Sequence, residues 1–423
     1  MTRRGWFRIG VVGISARAAV QSLARVGCSA WAIDLFADAD LQRLATVRRC
    51  PTQDYPHALP QLATHFPSSP FLYTGGLENH PQIIAGLMTI HELWGNCPET
   101  VQAVRDPWQL ALRFPDGFAP VLPRNQACPS SGQWLCKPLR SGGGTSIRLA
   151  QAGEIPDDQH YLQKYIEGIS ASAVCLDDRC LGVTQQLLGR SWLHTQGFCW
   201  CGNVGPWTDD SEVLTLCERW CRKFQNAFGL QGIWGFDFIR HREGIYIVEI
   251  NPRYPASVEV LEHAFSTALL SGDVLPAMTP RCYIAKAIYY APFDLRFPST
   301  GPWLSDLEAA TNPWHCPTYA DIPTPETDIP KNRPVLTLFA QGPTPAACVA
   351  HVQQLAAQLD RLFTRTNASA PSPLRHSTAS TFGEKRPCTS HKPKSRTEAP
   401  SRTCDSRTPR AHSPGLDTEE EQL

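Results

Sequence analysis

Two runs decide how this chain reads: Gly235-Phe236-Asp237-Phe238-Ile239 and, shortly after, Tyr246-Ile247-Val248-Glu249-Ile250-Asn251-Pro252-Arg253. Both are short and rich in aromatic and β-branched residues, as neighbouring antiparallel strands are. Side chains alternate across a strand, so Asp237 lies opposite Phe236 and Phe238, while Glu249 and Asn251 share one face and Val248 and Ile250 the other. A carboxylate, a second carboxylate and an amide oxygen then meet at one point. Acids inside apolar strands without a counter-ion cost on the order of several kcal/mol. Hard oxygen donors suit magnesium, which keeps waters and takes nucleotide phosphates as its remaining ligands. Asp237, Glu249 and Asn251 are therefore the candidate ligands for Mg2+ (or Mn2+), the competing reading being a set of paired structural acids. Arg253 follows directly and has the planar fork to hold phosphoryl or acyl-phosphate charge.

Upstream lies Lys137-Pro138-Leu139-Arg140-Ser141-Gly142-Gly143-Gly144-Thr145. Lys137 is the first lysine in the chain, in a stretch where arginine otherwise supplies the positive charge. Consecutive glycines bring backbone amides close to phosphate oxygens, and Ser141 and Thr145 add donors. In a P-loop the lysine follows the glycines and a helix begins at once. Here the lysine comes first and a strand, Ser146–Ala150, follows, so the run reads as a glycine hairpin closing over phosphates; a plain flexible turn is the alternative. Next, Gln163-Lys164-Tyr165-Ile166-Glu167-Gly168 reads as a strand leaving toward a turn. Its edge would offer backbone N–H and C=O groups to an adenine, with Tyr165 or Ile166 against the ring, or be ordinary core strand.

Other elements frame these motifs. Ile9–Gly13, an amphipathic helix over 16–26 and Ala30–Asp34 give a strand–helix–strand order of doubly wound α/β type. Gly10 and Gly13 miss the G-x-G-x-x-G spacing of a dinucleotide site, so this end reads as a structural Rossmann-like unit. Phe71–Thr74 followed by Gly75-Gly76 is a further strand and loop. Strands are expected at 171–176, 182–188, 232–239 and 245–250, with a long helix across 212–228. Pro280–Phe363 adds strands at 283–290 and 335–339 and a helix at 345–362. Past Thr366, Ser, Thr, Pro and Arg dominate; such a sequence buries too little apolar surface to offset ordering entropy and is expected to be disordered. Its basic stretch, Lys385 to Arg410, reads as a solvated tail.

Length and composition narrow the class. The 423 residues, 42% of them hydrophobic, imply two or three domains. Lys+Arg and Asp+Glu both number 39, so no global basic field draws in nucleic acid or membrane. No run reaches the roughly 18 apolar residues of a span, and Arg8 and Arg17 interrupt any signal-peptide core, so a cytoplasmic protein is expected. The 16 cysteines lack repeated C-x2-C spacing and read as reduced core thiols.

The order Lys137 … Ser141-Gly142-Gly143-Gly144 … Gln163-Lys164-Tyr165-Ile166-Glu167-Gly168 … Asp237 … Glu249-Ile250-Asn251-Pro252-Arg253 resembles the ATP-grasp superfamily. Within it, the chain is most similar to predicted ATP-dependent carboligases, carboxylate–amine ligases related to biotin carboxylase. The resemblance covers about residues 8–363. It implies an α/β ATP-grasp fold: a Rossmann-like preATP-grasp domain over 1–105, an ATP-grasp core over 106–270, a C-terminal lobe over 271–365 and a disordered tail over 366–423. It further implies that Lys137 contacts ATP phosphates, that Ser141, Gly142, Gly143, Gly144 and Thr145 form the mobile lid, and that Lys164, Tyr165 and Ile166 line the adenine. Asp237, Glu249 and Asn251 would bind the magnesium ions, and Arg253, with Lys137, would stabilise transferred phosphate. Two departures stand out. No second lysine lies near Arg105-Asp106-Pro107, where Arg105 is the nearest stand-in, and the ribose-gripping acid is not evident, position 170 being Ser170.

The implied activity is ATP- and Mg-dependent ligation: a substrate carboxylate becomes an acyl phosphate and an amine displaces phosphate. Substrate would lie between the loops at 13–15 and 74–79 and the metal strands. Tyr254, Ser257 and Glu259 are candidates to face it, Glu259 being equally readable as a solvated helix residue. The partners implied are small carboxylates and amines, with a homodimer as one assembly open to the chain. The resemblance also suggests a tetrahydromethanopterin-linked, one-carbon context. The alternatives are a non-catalytic ATP-binding regulator and, with the wrong glycine spacing against it, a dinucleotide-dependent oxidoreductase.

Overall fold

A computed structural model describes residues 8–271 and 280–369; the tail expectations, Lys385 to Arg410 among them, lie outside the described residues. The final helix, Pro345–Ser369, runs a few residues past the point where disorder was expected to begin.

Strands β1 (Arg8–Val12), β2 (Ser29–Asp34), β3 (Thr46–Arg49) and β4 (Phe71–Tyr73) form a parallel sheet in the order β3-β2-β1-β4. The helix Arg17–Arg25 connects β1 to β2. Gly10, within β1, and Gly13, just after it, serve packing. A Cβ on Gly10 would sit 2.2 Å from the Trp31 ring, and one on Gly13 would sit 2.1 Å from Thr74 Oγ1. Asp34, the acid at the end of β2, accepts N–H groups from Ala16, Phe36 and Ala37 at 2.6–2.7 Å. That carboxylate closes its own turn.

Strands β5 (Trp134–Pro138), β6 (Arg148–Leu149) and β7 (His160–Lys164) make a small antiparallel sheet, ordered β6-β5-β7, with the glycine loop between β5 and β6. The large sheet is antiparallel and eight-stranded. It contains β8 (Ile169–Leu176), β9 (Arg179–Leu188), β10 (Trp200–Gly205), β11 (Ile233–His241), β12 (Gly244–Asn251) and β13 (Tyr283–Tyr290). The order is β12-β11-β8-β9-β10-β13, continued by Pro334–Gly342 and then Tyr319–Ala320. Strands from beyond residue 280 thus extend the sheet that carries the site.

Helix Ser211–Phe228 covers one face of this sheet. Val213, Cys217, Trp220, Cys221 and Phe224 recur at helical spacing and are buried. Asp210 caps its start by accepting the Glu212 N–H, and Gly229, at φ 64°, ends it in the left-handed conformation. These side chains pack on Phe236, Phe238, Ile247 and Ile250, so the opposite face of β11 and β12 is left for polar groups. Among the described residues every cysteine is a free thiol, and most are buried. No helix among the described residues is long and apolar enough to cross a membrane.

Candidate active site

On β11 and β12 the register pairs Asp237 with Glu249 and Gly235 with Asn251, and the Asn251 amide donates to Asp237 Oδ2 at 3.2 Å. The expected convergence of these three side chains is present. Alternation, however, breaks between Asp237 and Phe238, where the partner of Phe238 is Ile247. Val248 is the extra residue of a bulge. Instead of joining Ile250 in the core it lines the cleft beside Glu249, and its carbonyl accepts from Lys137 Nζ at 3.5 Å.

Lys137 comes in from β5. It is 7% exposed, donates to Gln163 Oε1 at 2.9 Å, and its ammonium is 5.7 Å from the Tyr161 ring centroid. Arg105, at the end of the helix Pro98–Val104, forms an ion pair with Glu249. The position that lacks a lysine is therefore filled by a guanidinium at the same cleft. Ser141, Gly142, Gly143 and Gly144 line its rim, whereas Thr145 is exposed and lies outside it.

The glycine loop is folded down. The Trp200 N–H donates to the Gly143 carbonyl at 2.8 Å, and Asn79 Nδ2 donates to the Ser141 carbonyl at 3.2 Å. Both Gly143 and Gly144 have φ 68°, and a Cβ on Gly144 would lie 2.2 Å from the Phe198 carbonyl oxygen. Lys164, Tyr165 and Ile166 do not line the cleft that holds Lys137 and Glu249. The Lys164 and Tyr165 N–H groups donate to Pro120 and Gln133 carbonyls at 2.8 and 2.9 Å, so these two donors are already paired.

Charge is distributed unevenly over the two acids. Burial, and then the charge of Glu249, push Asp237 up to about 6, against hydrogen bonds from Ser172 and Asn251 and the charge of Arg253. Burial pushes Glu249 the same way, but Arg105, Lys137 and Arg253 outweigh it and hold Glu249 below the usual carboxylate range. Arg253 itself is well partnered: its Nε donates to Glu78 Oε1 at 3.0 Å and its other nitrogens to Asn251 Oδ1 at 3.2 Å and the Tyr254 carbonyl at 3.3 Å.

Tyr254 and Glu259 go elsewhere. The Tyr254 hydroxyl is 2.7 Å from Ser22 Oγ, and Glu259 is fully buried between Arg17 and Lys286. Glu259 is thus neither solvated nor in the cleft; it ties the helix Ser257–Phe265 to two other segments. Sequence reasoning did not single out Ser172 or the Val248 carbonyl, and it placed Glu78 and Asn79 in the loop at 74–79 expected beside the substrate without giving either a role. Ser172 was legible, since Ser170 and Ser172 alternate with buried Ala171 and Ala173 along β8. Glu78 and Asn79 meet partners more than sixty positions away, so no local pattern marks them.

The sequence family described as the ATP-grasp domain matches residues 106–257. An uncharacterized protein of Methanocaldococcus jannaschii is 25% identical over 170 residues, 37% of this chain and 41% of that protein's length. The fold is similar to that of biotin carboxylase from Campylobacter jejuni in a β,γ-ATP complex (TM-score 0.58, 13% identity, 80% of this chain and 87% of that one). It is likewise similar to Aspergillus clavatus carboxyaminoimidazole ribonucleotide synthase complexed with ATP (TM-score 0.59, 13% identity, 84% and 99%). A third similar structure is the L-amino acid ligase of Bacillus licheniformis (TM-score 0.58, 11% identity, 84% and 98%).

Proposed function

Residues 106–257 form an ATP-grasp domain within an ATP-grasp fold, and from that premise we propose that the protein is an ATP-dependent carboxylate–amine ligase. The observation that carries the reading is the pairing of Asp237 with Glu249 beside Asn251, under a glycine loop and opposite Lys137. Like charges directly opposed on neighbouring strands repel, and here they face three cationic side chains, Lys137, Arg105 and Arg253. That arrangement suits a place for highly charged phosphates.

The donor set also fits a divalent cation. Two carboxylates and an amide oxygen on one face are hard ligands, and Asp237, Glu249 and Asn251 would hold Mg2+ or Mn2+ there. The ion would supply charge neutralisation to the phosphates. Lys137 and Arg253 would bind phosphate oxygens; Gln163, by holding Lys137 Nζ, fixes where its charge sits. Ser141 to Gly144 would cover the phosphates and exclude water. A carboxylate oxygen of the substrate attacks the γ-phosphorus, the bond to the bridging oxygen breaks, and ADP leaves. The amine nitrogen then attacks the acyl carbon, phosphate departs, and the nitrogen loses a proton. This chemistry is positioning and electrostatics and needs no covalent protein nucleophile.

The test is ADP release from the full chain with Mg2+ and pooled small carboxylates and amines. Release that requires both a carboxylate and an amine, and that Glu249→Gln abolishes, is expected. Full activity in Glu249→Gln would remove the metal assignment. Tight ATP binding without stimulated turnover would favour a regulatory protein.

A further inference from the structure

Where β4 ends and the chain turns toward Asn79, buried polar atoms gather without partners. Among the described residues, the buried side-chain oxygens that make no hydrogen bond are Thr74 Oγ1, Glu78 Oε2, the Tyr55 hydroxyl and Ser257 Oγ. Thr74, Glu78 and Ser257 are 4%, 3% and 2% exposed. Native proteins leave few such atoms, because an unmade buried hydrogen bond is costly.

Thr74, Glu78 and Tyr55 lie around one turn. The Tyr73 hydroxyl and the Asn96 amide both donate to the Pro252 carbonyl, and the Tyr254 N–H reaches the Tyr73 carbonyl at 3.4 Å. These bonds stitch the exit of β4 to the turn that follows the metal strands. Along that seam, Glu78 Oε1 takes the Arg253 Nε, while Oε2 of the same carboxylate has no donor. Thr74 Oγ1 faces Gly13, and the Gly76 backbone lies close to the Tyr55 hydroxyl. Gly75 and Gly76, between Thr74 and Glu78, are half-buried.

The chemistry of the set selects a ligand. A carboxylate accepts hydrogen bonds only, so Glu78 Oε2 calls for a donor, and a cationic N–H group is the strongest. An anion would face the Glu78 charge. Thr74 and Tyr55 can each donate or accept, and so adapt to the rest of a small polar molecule. We propose that the turn Thr74–Glu78, with Tyr55, is the subsite for a substrate carrying a primary amine, bound as its ammonium to Glu78 Oε2, the carboxylate oxygen that takes the ammonium proton when the free amine is released to attack. This rests on the ligase reading and names the class of its second substrate.

The experiment titrates the full chain, with and without Mg2+ and a non-hydrolysable ATP analogue, by calorimetry and thermal shift. The probes are α-amino acids, ω-amino acids and primary amines, each paired with its N-acetyl derivative. At least one amine should bind at least tenfold more tightly than its acetylated partner, and Glu78→Gln should lose that preference. Thr74→Val gives a readout that a structural role would not: it removes an unsatisfied hydroxyl, so the melting temperature stays level or rises while amine binding weakens. Equal binding of acetylated probes, a preserved preference in Glu78→Gln, a lowered melting temperature with unchanged binding in Thr74→Val, or no amine binding at all would each overturn the subsite. Failure of the ATP analogue to bind would instead sink the ligase reading, and amine preference dependent on Glu78 would still stand without it.

Discussion

The carboxamide of Asn79 donates to the Ser141 carbonyl at 3.2 Å and accepts from Arg105 at 3.3 Å. One side chain on the loop after β4 thereby touches both the glycine loop and the guanidinium that holds Glu249. Asn79→Ala should loosen the lid without unfolding the protein, because each neutral hydrogen bond contributes only about 0.5–1.5 kcal/mol. The expected outcome is an ATP KM raised about five- to tenfold, a little-changed melting temperature, and faster tryptic cleavage at Arg140. An unchanged cleavage rate would show that the tie does not hold the lid.

Arg105 and a divalent cation compete for the same carboxylate, since Arg105 is ion-paired with Glu249. Arg105→Gln should therefore strengthen Mn2+ binding in the absence of nucleotide, by about threefold to tenfold, while weakening ATP binding through the lost phosphate charge. Glu249→Gln should weaken Mn2+ binding. Electron paramagnetic resonance titration of free Mn2+ reads both. Parallel changes in the two variants would contradict the competition.

Gly144 combines φ 68° with a carbonyl 2.2 Å from where a Cβ would lie. An alanine there carries about 1–2 kcal/mol of left-handed strain and also collides with Phe198, so the lid cannot settle on the Phe198–Trp200 segment. Gly144→Ala should raise the ATP KM at least tenfold. Gly142→Ala, where a Cβ meets nothing within 4 Å, should have a much smaller effect. Equal effects at the two positions would mean that loop flexibility, and not docking, is what matters.

Asp40 accepts the Asp321 and Ile322 N–H groups at 2.8 and 3.1 Å and is 4% exposed. Burial first, with the charge of Asp321, pushes it up to about 7 against the opposing charge of Arg17. An acid whose pKa is raised on folding contributes stability that is fully present below its unfolded value, near 4, and lost as the pH rises through about 7. Stability attributable to this site should therefore fall between pH 4 and 7. Asp40→Asn should flatten that decline in melting temperature. Asp34, pushed up to about 6, keeps part of the slope. A variant with the same slope as the parent would exclude Asp40 as its source.

The sequence carried more of this protein than its low identity to solved structures of similar fold suggests. Helix Ser211–Phe228 was legible, across 212–228, from its amphipathic apolar pattern. Strands β11 and β12 were legible from apolar runs, and the facing of Asp237, Glu249 and Asn251 followed from the two-residue period. The same period misplaced Val248, because a bulge is set by how the partner strand pairs. It also gave no warning that Lys164 and Tyr165 spend their N–H groups on Pro120 and Gln133.

Local patterns thus determined which residues could act: periodicity, turn chemistry and charge type are properties of neighbours along the chain, and each is written within a few positions. Tertiary structure decided which of them meet. Arg105 reaches Glu249, Glu78 reaches Arg253 and Arg17 reaches Glu259 across separations of more than a hundred residues. Such pairings depend on how separate elements pack, where an ion pair forms only if burial is offset by a partner from another segment.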